Sequence, residues 1–258
     1  MEMFDVFIIC PKSKSNRKKT LEKRFNQIGL KPIFVDAIMG EDLREDERQL
    51  FYTGDRQNWL AHPMQDNAIG CALSHQKIWS MISQGSKKYG LILEDDALPL
   101  FQKETVYMEF FNNIEKMIEN VDIVFLSNRR PTRDIFTVTE LSETFKLCAV
   151  KYSGIGAESY LITRHAAKSL DGLKNKFDFE VDCLLHHWWR HPLSVLHLSP
   201  PIFEEDGRAS TIGYTKRLPN WPNNDAFKFI LRRFNRLRDS LIKRLYFYLH
   251  LKKMKLRF

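Results

Sequence analysis

The first 40 residues alternate between short apolar runs and a charged segment. VFIIC (6–10) and PIFVDAI (32–38) are apolar runs of strand length. The basic segment between them, from Lys12 to Arg24, predicts a helix that ends at Gly29. A strand, a helix and a second strand in this order predict a parallel β-α-β unit.

The same alternation continues to about residue 199. The apolar spacing predicts further helices at 68–83, 104–119, 164–173 and 179–189, and further strands at 89–96, 122–127, 158–163 and 194–199. Residues 40–66 are charged and irregular, and they predict a mobile loop over a site. Strands that alternate with helices predict an α/β layered fold.

Composition narrows the class of protein. With 258 residues, 43% hydrophobic and 28% charged, the chain is expected to be globular. No window holds eighteen consecutive apolar residues, so no transmembrane helix is expected. The start, MEMFDVFIIC, lacks the features of a signal peptide and predicts a core strand. Four widely spaced cysteines favour reduced thiols in a cytoplasmic protein.

Charge is distributed unevenly along the chain. The formal net charge of +8 divides into +10 for residues 226–258, with eleven Lys/Arg and one Asp, and −2 for the rest. Apolar residues of this tail follow helical spacing, at Phe227, Ile230, Leu231, Phe234, Leu237, Leu241, Leu245 and Tyr248. A basic amphipathic helix is typical of binding to an anionic membrane surface. The alternatives are a helix packed on the body of the protein, with a solvated basic face, and a tail that binds nucleic acid.

Three adjacent carboxylates follow a buried strand in LILEDDALPL (91–100). Ligands of parallel α/β sheets bind at the carboxyl ends of the strands, where Glu94, Asp95 and Asp96 are expected. Residues i and i+2 of a strand point to the same side, so Glu94 and Asp96 are predicted to face one site. Two carboxylates on one side suit Mg²⁺ or Mn²⁺. The alternative is a solvated acidic turn.

Five stretches together resemble glycosyltransferase family 25, which includes lipopolysaccharide β-1,4-galactosyltransferases. They are FVDAIMG (34–40), GCALSH (70–75), LILEDDALPL (91–100), GAESYLITRHAAKSL (156–170) with FEVD (179–182), and PPIFEEDGRASTI (200–212). The resemblance implies a GT-A-like, Rossmann-type nucleotide-sugar-binding domain at 1–225, with a mixed, mostly parallel sheet, followed by the basic segment 226–258. It also implies a UDP-sugar donor, Mn²⁺ or Mg²⁺, and inversion at the anomeric carbon. Ala68 and Glu180 depart from the family pattern, in which many relatives carry Glu and Pro.

An inverting transfer requires a base that deprotonates the acceptor hydroxyl. Asp182 is the preferred candidate because it lies in the stretch that matches the family's Val-Asp pair, and Glu205 and Asp206 are the reserves. The alternative role of Asp182 is a helix-surface acid or an i,i+4 partner of His186.

Six residues are candidates for contact with the nucleotide-sugar donor. Lys14 and Arg17 follow the first strand and are placed to meet uracil or diphosphate, and Asp36 ends the second strand. Ser74 and His75 match the Ser-His pair of the family, and Glu94 belongs to the acidic motif. The alternatives are a solvated helix start for the two cations and a core role for His75.

These observations predict an inverting, metal-dependent transferase. It would move a hexose, with galactose as first candidate, from a UDP-sugar to bacterial lipooligosaccharide at the cytoplasmic face of the inner membrane. One alternative is a metal-dependent phosphohydrolase that uses the acidic triplet. The other is a nucleic-acid-binding protein, which predicts basic and aromatic residues across the body, whereas residues 1–225 carry −2.

Overall fold

The computed structural model describes residues 4–51, 64–118, 120–127, 133–152, 156–173, 180–189, 191–207 and 226–258. Within these residues the strands form one sheet of eight and one of two. The strands are β1 Phe4–Cys10, β2 Pro32–Asp36, β3 Tyr89–Glu94, β4 Ala97–Pro99, β5 Ile123–Phe125, β6 Arg133–Glu140, β7 Lys146–Tyr152, β8 Ser159–Thr163, β9 Val195–Ser199 and β10 Phe203–Glu205.

The helices lie mainly between the strands. They are α1 Ser15–Asn26, α2 Glu45–Phe51, α3 Asp66–Gln84, α4 Glu104–Ile118, α5 Arg164–Asp171, α6 Val181–His186 and α7 Ala226–Lys255. A single 3₁₀ turn in the described part of the chain spans Gly40–Asp42.

The large sheet has the strand order β2-β1-β3-β8-β5-β9-β7-β6. β8 and β7 run against their neighbours, so six of the eight strands share one direction. The predicted α/β fold with a mixed, mostly parallel sheet is therefore confirmed. β2, β1 and β3 are adjacent and parallel, so their carboxyl ends lie together at one edge, with Ile9 opposite Glu94 and Cys10 opposite Asp36.

The predicted helix after β1 forms, and Gly29 follows its end. Leu21 and Phe25 are buried, Lys19 and Lys23 are exposed, and the Arg17 side chain is only 16% exposed. Gly29 adopts a φ of +75°, and the N–H of Leu30 donates to the carbonyl of Phe25 at 3.0 Å. This is the terminal bond of a Schellman motif, whose left-handed position favours glycine. α1 thereby returns the chain to the sheet edge as β2.

The hairpin β6–β7 was not predicted. β6 alternates weakly, with Ile135 48% exposed, and β7 carries four consecutive buried residues, 147–150. The short pair β4–β10 was also missed, because three-residue strands carry almost no periodic signal.

Two other predictions need correction. The segment 40–66 is not a continuous loop, since it contains the 3₁₀ turn and α2, while residues 52–63 lie outside the described chain. Glu45, Asp46 and Glu47 occupy the first turn of α2, where acidic side chains favour a helix. The predicted helix at 179–189 is shorter and spans only Val181–His186.

α3 packs unusually close to the segment that follows β2. A Cβ atom on Gly70 would lie 2.3 Å from the carbonyl oxygen of Ile38, a distance that only glycine permits. The hydroxyl of Ser74 also accepts from the N–H of Ile38 at 2.8 Å. α3 therefore brings Cys71, Ser74 and His75 to the carboxyl ends of β1 and β3.

The tail is helical, as predicted, but it packs mainly through residues outside the predicted stripe, of which Tyr248 contacts Phe136 of β6. Phe247, Leu251 and Met254 are buried, and the Phe247 ring contacts Phe136 of β6 and Trp188, with centroids 5.3 and 5.8 Å apart. No helix within the described residues combines the length and apolar character needed to cross a membrane.

Candidate active site

Two segments distant in sequence meet at the acidic triplet. β3 ends at Glu94, and β4 then pairs antiparallel with β10, which places Glu205 opposite Ala97. The N–H of Asp206 donates to the carbonyl of Asp96 at 2.9 Å. The structure therefore brings the predicted metal ligands and both reserve acids into one acidic cluster, Glu94, Asp95, Asp96, Glu205 and Asp206.

Arg17 is the cation inside this cluster. Its Nε lies 2.8 Å from Oδ2 of Asp95, and its Nη2 lies 3.4 Å from Oδ2 of Asp206. Nη2 also donates to the carbonyl of Asp95 at 2.7 Å. Arg17 thus ties the triplet to the end of β10 and offsets part of the repulsion among the carboxylates.

Asp96 lies among the other four carboxylates of the cluster. Burial raises its pKa to about 7, with further contributions from Glu94, Asp95, Glu205 and Asp206. Its Oδ1 is buried and has no hydrogen-bond partner among the described residues. A cluster of oxygen donors with an unsatisfied carboxylate oxygen fits Mg²⁺ or Mn²⁺, which prefer carboxylate ligands.

Two cavities flank the cluster. One of about 70 Å³ lies at the ends of β1, β2 and β3. Its polar lining consists of Asn67, Cys71, Ser74, His75, Glu94 and Asp95. The other, of about 240 Å³, lies beside α1 and is lined by Arg17, Arg24, Asp95 and Asp206, among others. Arg17 and Asp95 therefore meet the larger cavity, and Asp95 borders both.

Ser74 and His75 lie in the wall of the smaller cavity. The Ser74 hydroxyl is fully engaged, because it donates to the carbonyl of Gly70 at 2.7 Å and accepts from the N–H of Ile38. His75 is completely buried, with Nδ1 2.8 Å from the Tyr160 hydroxyl and Nε2 3.2 Å from Oε1 of Glu94. Ser74 therefore bonds the segment that follows β2, and His75 bonds Glu94 of the acidic cluster.

Asp182 lies in the first turn of α6, near the same cavity wall. One carboxylate oxygen accepts from the N–H of Cys183 at 2.7 Å. Its negative charge acts on the pKa values of His75 and Cys71. Asp182 is therefore close to the acidic cluster although it is 86 positions beyond Asp96 in the sequence.

Lys14 and Asp36 line neither of the two cavities beside the cluster. Lys14 immediately precedes α1. Asp36 is 47% exposed and pairs with Lys18 at 2.6 Å, and this hydrogen bond lowers its pKa. The described geometry gives Asp36 a cationic partner of its own, rather than a place among the acids.

Cys71 is the main site residue that the sequence argument missed. Burial raises the pKa of its thiol, with contributions from Glu94, Asp182 and Asp96. It precedes His75 by four positions on α3, so helical spacing alone places the two on one face. Tyr160 and Trp79 carried no comparable signal, because both have the pattern of core aromatics.

The sequence matches the model of "Glycosyltransferase family 25 (LPS biosynthesis protein)" over residues 3–185. This chain belongs to that family. It is 27% identical over 210 residues to the protein of Haemophilus influenzae named "Putative glycosyltransferase", covering 78% of this chain and 70% of that one. It is 26% identical to a glycosyltransferase 25 family member of Aedes aegypti, covering 66% of this chain and 28% of that one.

The animal relatives are much longer than this chain. Similarity to human procollagen galactosyltransferase 2 is 22% identity over 65% of this chain, which spans 27% of that protein. Among solved structures, a glycosyltransferase involved in glycosylation of the major capsid of PBCV-1 aligns with a TM-score of 0.44 and 14% identity, over 80% of this chain and 94% of that one.

Proposed function

We propose that this chain transfers a hexose, with galactose as first candidate, from a UDP-sugar to a sugar of lipooligosaccharide, with inversion and with Mn²⁺ or Mg²⁺. The observation that carries this proposal is the acidic cluster at the carboxyl ends of parallel strands, in which the half-buried Asp96 has a pKa of about 7. Such a cluster lacks the positive charge that would let all its members ionise. Family membership supports sugar transfer in place of phosphate hydrolysis.

Glu94, Asp95 and Asp96 are the proposed metal-binding residues. When bound there, a divalent cation would neutralise the charge that develops on the UDP leaving group. Asp95 also holds Arg17, which lies at the larger cavity and is a proposed contact for the diphosphate. Lys14, Asp36, Ser74 and His75 complete the proposed donor side.

Asp182 is the proposed general base. It would take the proton of the acceptor hydroxyl while that oxygen forms the new bond to the anomeric carbon and UDP departs with the electrons of the old bond. The support is the effect of its charge on the pKa values of Cys71 and His75, which line the smaller cavity beside the acidic cluster. Glu205 and Asp206 remain the reserve candidates, and Asp206 is already paired with Arg17.

The test is a donor panel: UDP-galactose, UDP-glucose and UDP-N-acetylhexosamines, each with Mn²⁺ or with EDTA, and with a lipooligosaccharide acceptor. We expect one UDP-hexose to be consumed with Mn²⁺ and none in EDTA. Asp182→Asn should lower turnover by about 10²–10⁴-fold and leave UDP affinity unchanged, because a base acts on the acceptor. Full transfer in EDTA would contradict the metal role, and near wild-type turnover of Asp182→Asn would move the base to Glu205 or Asp206.

Residues 226–258 are proposed to attach the enzyme to the anionic cytoplasmic face of the inner membrane, as a segment distinct from the transferase domain 1–225. Six residues of the apolar stripe predicted from the sequence are between 49% and 70% exposed in α7: Ile230, Phe234, Leu237, Leu241, Leu245 and Tyr248. The side chains of Phe227 and Leu231 lie outside the described part of the helix. Arg233, Arg238 and Arg244 are also exposed on this helix. An apolar face flanked by cations suits the boundary between lipid headgroups and acyl chains.

A further inference from the structure

A buried hydrogen-bond chain ends on the acidic cluster. Trp79 Nε1 lies 2.9 Å from the Tyr160 hydroxyl, which lies 2.8 Å from Nδ1 of His75. Nε2 of His75 lies 3.2 Å from Oε1 of Glu94. Trp79, Tyr160 and His75 are all 0% exposed, so water does not compete for these bonds. The chain joins α3, β8 and the end of β3.

The chemistry of the groups fixes the direction of each bond. An indole N–H only donates, so the Tyr160 oxygen accepts from Trp79. The Tyr160 O–H must then donate elsewhere, and Nδ1 of His75 is its one remaining partner among the described residues. Nδ1 therefore carries no proton. A neutral imidazole with a bare Nδ1 carries its proton on Nε2, which donates to Glu94.

Burial supports the neutral form of this ring. The ring is 0% exposed, and burial disfavours the charged imidazolium. A protonated ring would also direct an Nδ1–H at the Tyr160 oxygen, which already accepts from Trp79. The hydroxyl proton of Tyr160 would then have no acceptor among the described residues.

We propose that His75 is a positioning residue, locked by Trp79 and Tyr160 as the Nε2–H tautomer, that orients the Glu94 carboxylate for the divalent cation without binding that cation itself. The inference rests on the proposed function, since it concerns the same metal site. Partners that orient a metal ligand through a histidine or carboxylate commonly change metal affinity by 10–100-fold.

The competing arrangement is a site for a soft metal such as Zn²⁺. Ligand atoms of Cys71, His75 and Glu94 lie within 4.8 Å of one another. Binding through Nε2 would, however, move the imidazole proton to Nδ1 and leave the Tyr160 hydroxyl without an acceptor. The hydrogen-bond chain therefore disfavours His75 as a ligand and leaves oxygen donors as the metal site.

The test compares two tyrosines in the metal-free full chain. Tyr160→Phe removes the hydroxyl that fixes the His75 tautomer. Tyr89→Phe is the matched control, because Tyr89 is also buried, lies on the neighbouring strand, and has a hydroxyl without a hydrogen-bond partner among the described residues. Mn²⁺ binding, measured by electron paramagnetic resonance of the free ion, should weaken by about 10-fold or more in Tyr160→Phe and stay at the wild-type value in Tyr89→Phe.

Substitution of the histidine gives a second arm that does not depend on the fold of Tyr160→Phe. His75→Gln keeps an N–H donor for Glu94 and should bind Mn²⁺ more tightly than His75→Leu, which has none. Equal Mn²⁺ affinity in Tyr160→Phe and wild type, equal affinity of the two His75 variants, or a wild-type chain that binds no Mn²⁺ would overturn the inference. A Cys71-dependent thiolate band on Co²⁺ titration would also overturn it. If the Mn²⁺ effects appear but no UDP-sugar is consumed, the proposed function fails while the positioning role stands.

Discussion

At the scale of single residues, Asp96 is the carboxylate of the acidic cluster whose charged form is disfavoured by burial and by its four acidic neighbours. Its pKa of about 7 in the folded chain is well above its ordinary value of 3.8. The folded protein therefore binds this proton more tightly than the unfolded chain does. Through this group the metal-free protein gains stability as the pH falls from about 7 to about 4, and loses it as the pH rises again.

Asp96→Asn should remove this penalty at the cost of the metal site. In EDTA at pH 8 we expect a melting temperature at least about 2 °C above wild type, because 1 kcal/mol shifts a domain of this size by about 2–4 °C. Added Mn²⁺ with UDP should stabilise wild type but not the variant. The measurement is thermal unfolding followed by circular dichroism between pH 5 and 8.

The control for this prediction is Asp46→Asn, a carboxylate that is 69% exposed on α2. It should leave both the melting temperature and the Mn²⁺ response unchanged. If Asp96→Asn melts below wild type in EDTA at pH 8, the carboxylate is stabilising and the electrostatic account of the cluster is wrong.

The sequence predicted where the acids of the triplet lie, but it did not predict their partners. Glu94, Asp95 and Asp96 follow an apolar run, and strand-end geometry alone locates them at the carboxyl edge. The bonds of Arg17 to Asp95 and Asp206 span 78 and 189 positions. No local pattern encodes contacts between residues so far apart, because they depend on the order of strands in the sheet.

At the scale of elements, the contact between α3 and the segment after β2 aligns the site. Gly70 allows the helix to lie against the Ile38 carbonyl, and Ser74 bonds the same segment. Gly70→Ala should push the helix outward and displace His75 from Glu94. We expect a loss of about 1–3 kcal/mol, typical of overpacking, together with weaker Mn²⁺ binding. Thermal unfolding and Mn²⁺ titration measure the two effects.

Gly172→Ala is the matched control at the end of α5. Its φ of −63° is compatible with alanine, and an added Cβ would meet atoms no closer than 3.4 Å. This variant should melt within about 2 °C of wild type. A Gly70→Ala protein with wild-type stability and Mn²⁺ affinity would show that the close approach of α3 does not set the position of the site.

Regular elements were predictable where burial imposes a clear period. The α1 helix with its glycine stop, the long α3 helix and the apolar strands β1 and β3 all carry such a signal. β6 and β7 lie at one end of the sheet. Residues 147–150 of β7 are all buried, and Ile135 of β6 is 48% exposed, so neither strand shows a clear period of two. α2 was taken for loop because its charged sequence, EDERQLF, shows little apolar periodicity, although its acidic first turn favours a helix.

At the scale of the whole molecule, α7 carries two apolar surfaces, one buried against the body and one exposed. Phe247, Leu251 and Met254 are buried, whereas the stripe from Ile230 to Leu245 faces outward. Tyr248 is 57% exposed, and its ring also contacts Phe136. Removal of the helix would uncover Phe136 and Trp188, which contact Phe247. Truncation would therefore combine loss of the stripe with damage to the body, and substitutions in the full chain separate the two.

Binding to anionic vesicles should require both the exposed stripe and the charge of α7. Phe234, Leu237 and Leu241 changed together to Ser should abolish co-sedimentation with vesicles that contain phosphatidylglycerol, because the buried apolar area is lost. Arg233, Arg238 and Arg244 changed together to Gln should weaken it, since each cation near an anionic surface contributes about 1 kcal/mol. Wild-type binding should fall with added salt, which shortens the range of the attraction.

Two controls decide whether the effect belongs to this surface and to lipid. Ile33→Ser alters an apolar residue that is 43% exposed on β2 and should leave vesicle binding unchanged, and wild type should not sediment with neutral phosphatidylcholine vesicles.

If the stripe variant instead changes a dimer into a monomer, α7 pairs two copies of the chain. Competition of vesicle binding by RNA with equal affinity would make the tail a nucleic-acid contact. No variant alters the buried residues Phe247, Leu251 and Met254, so each loss of vesicle binding should occur without a change in melting temperature. Unfolding of the stripe variant would contradict the outward orientation of the stripe.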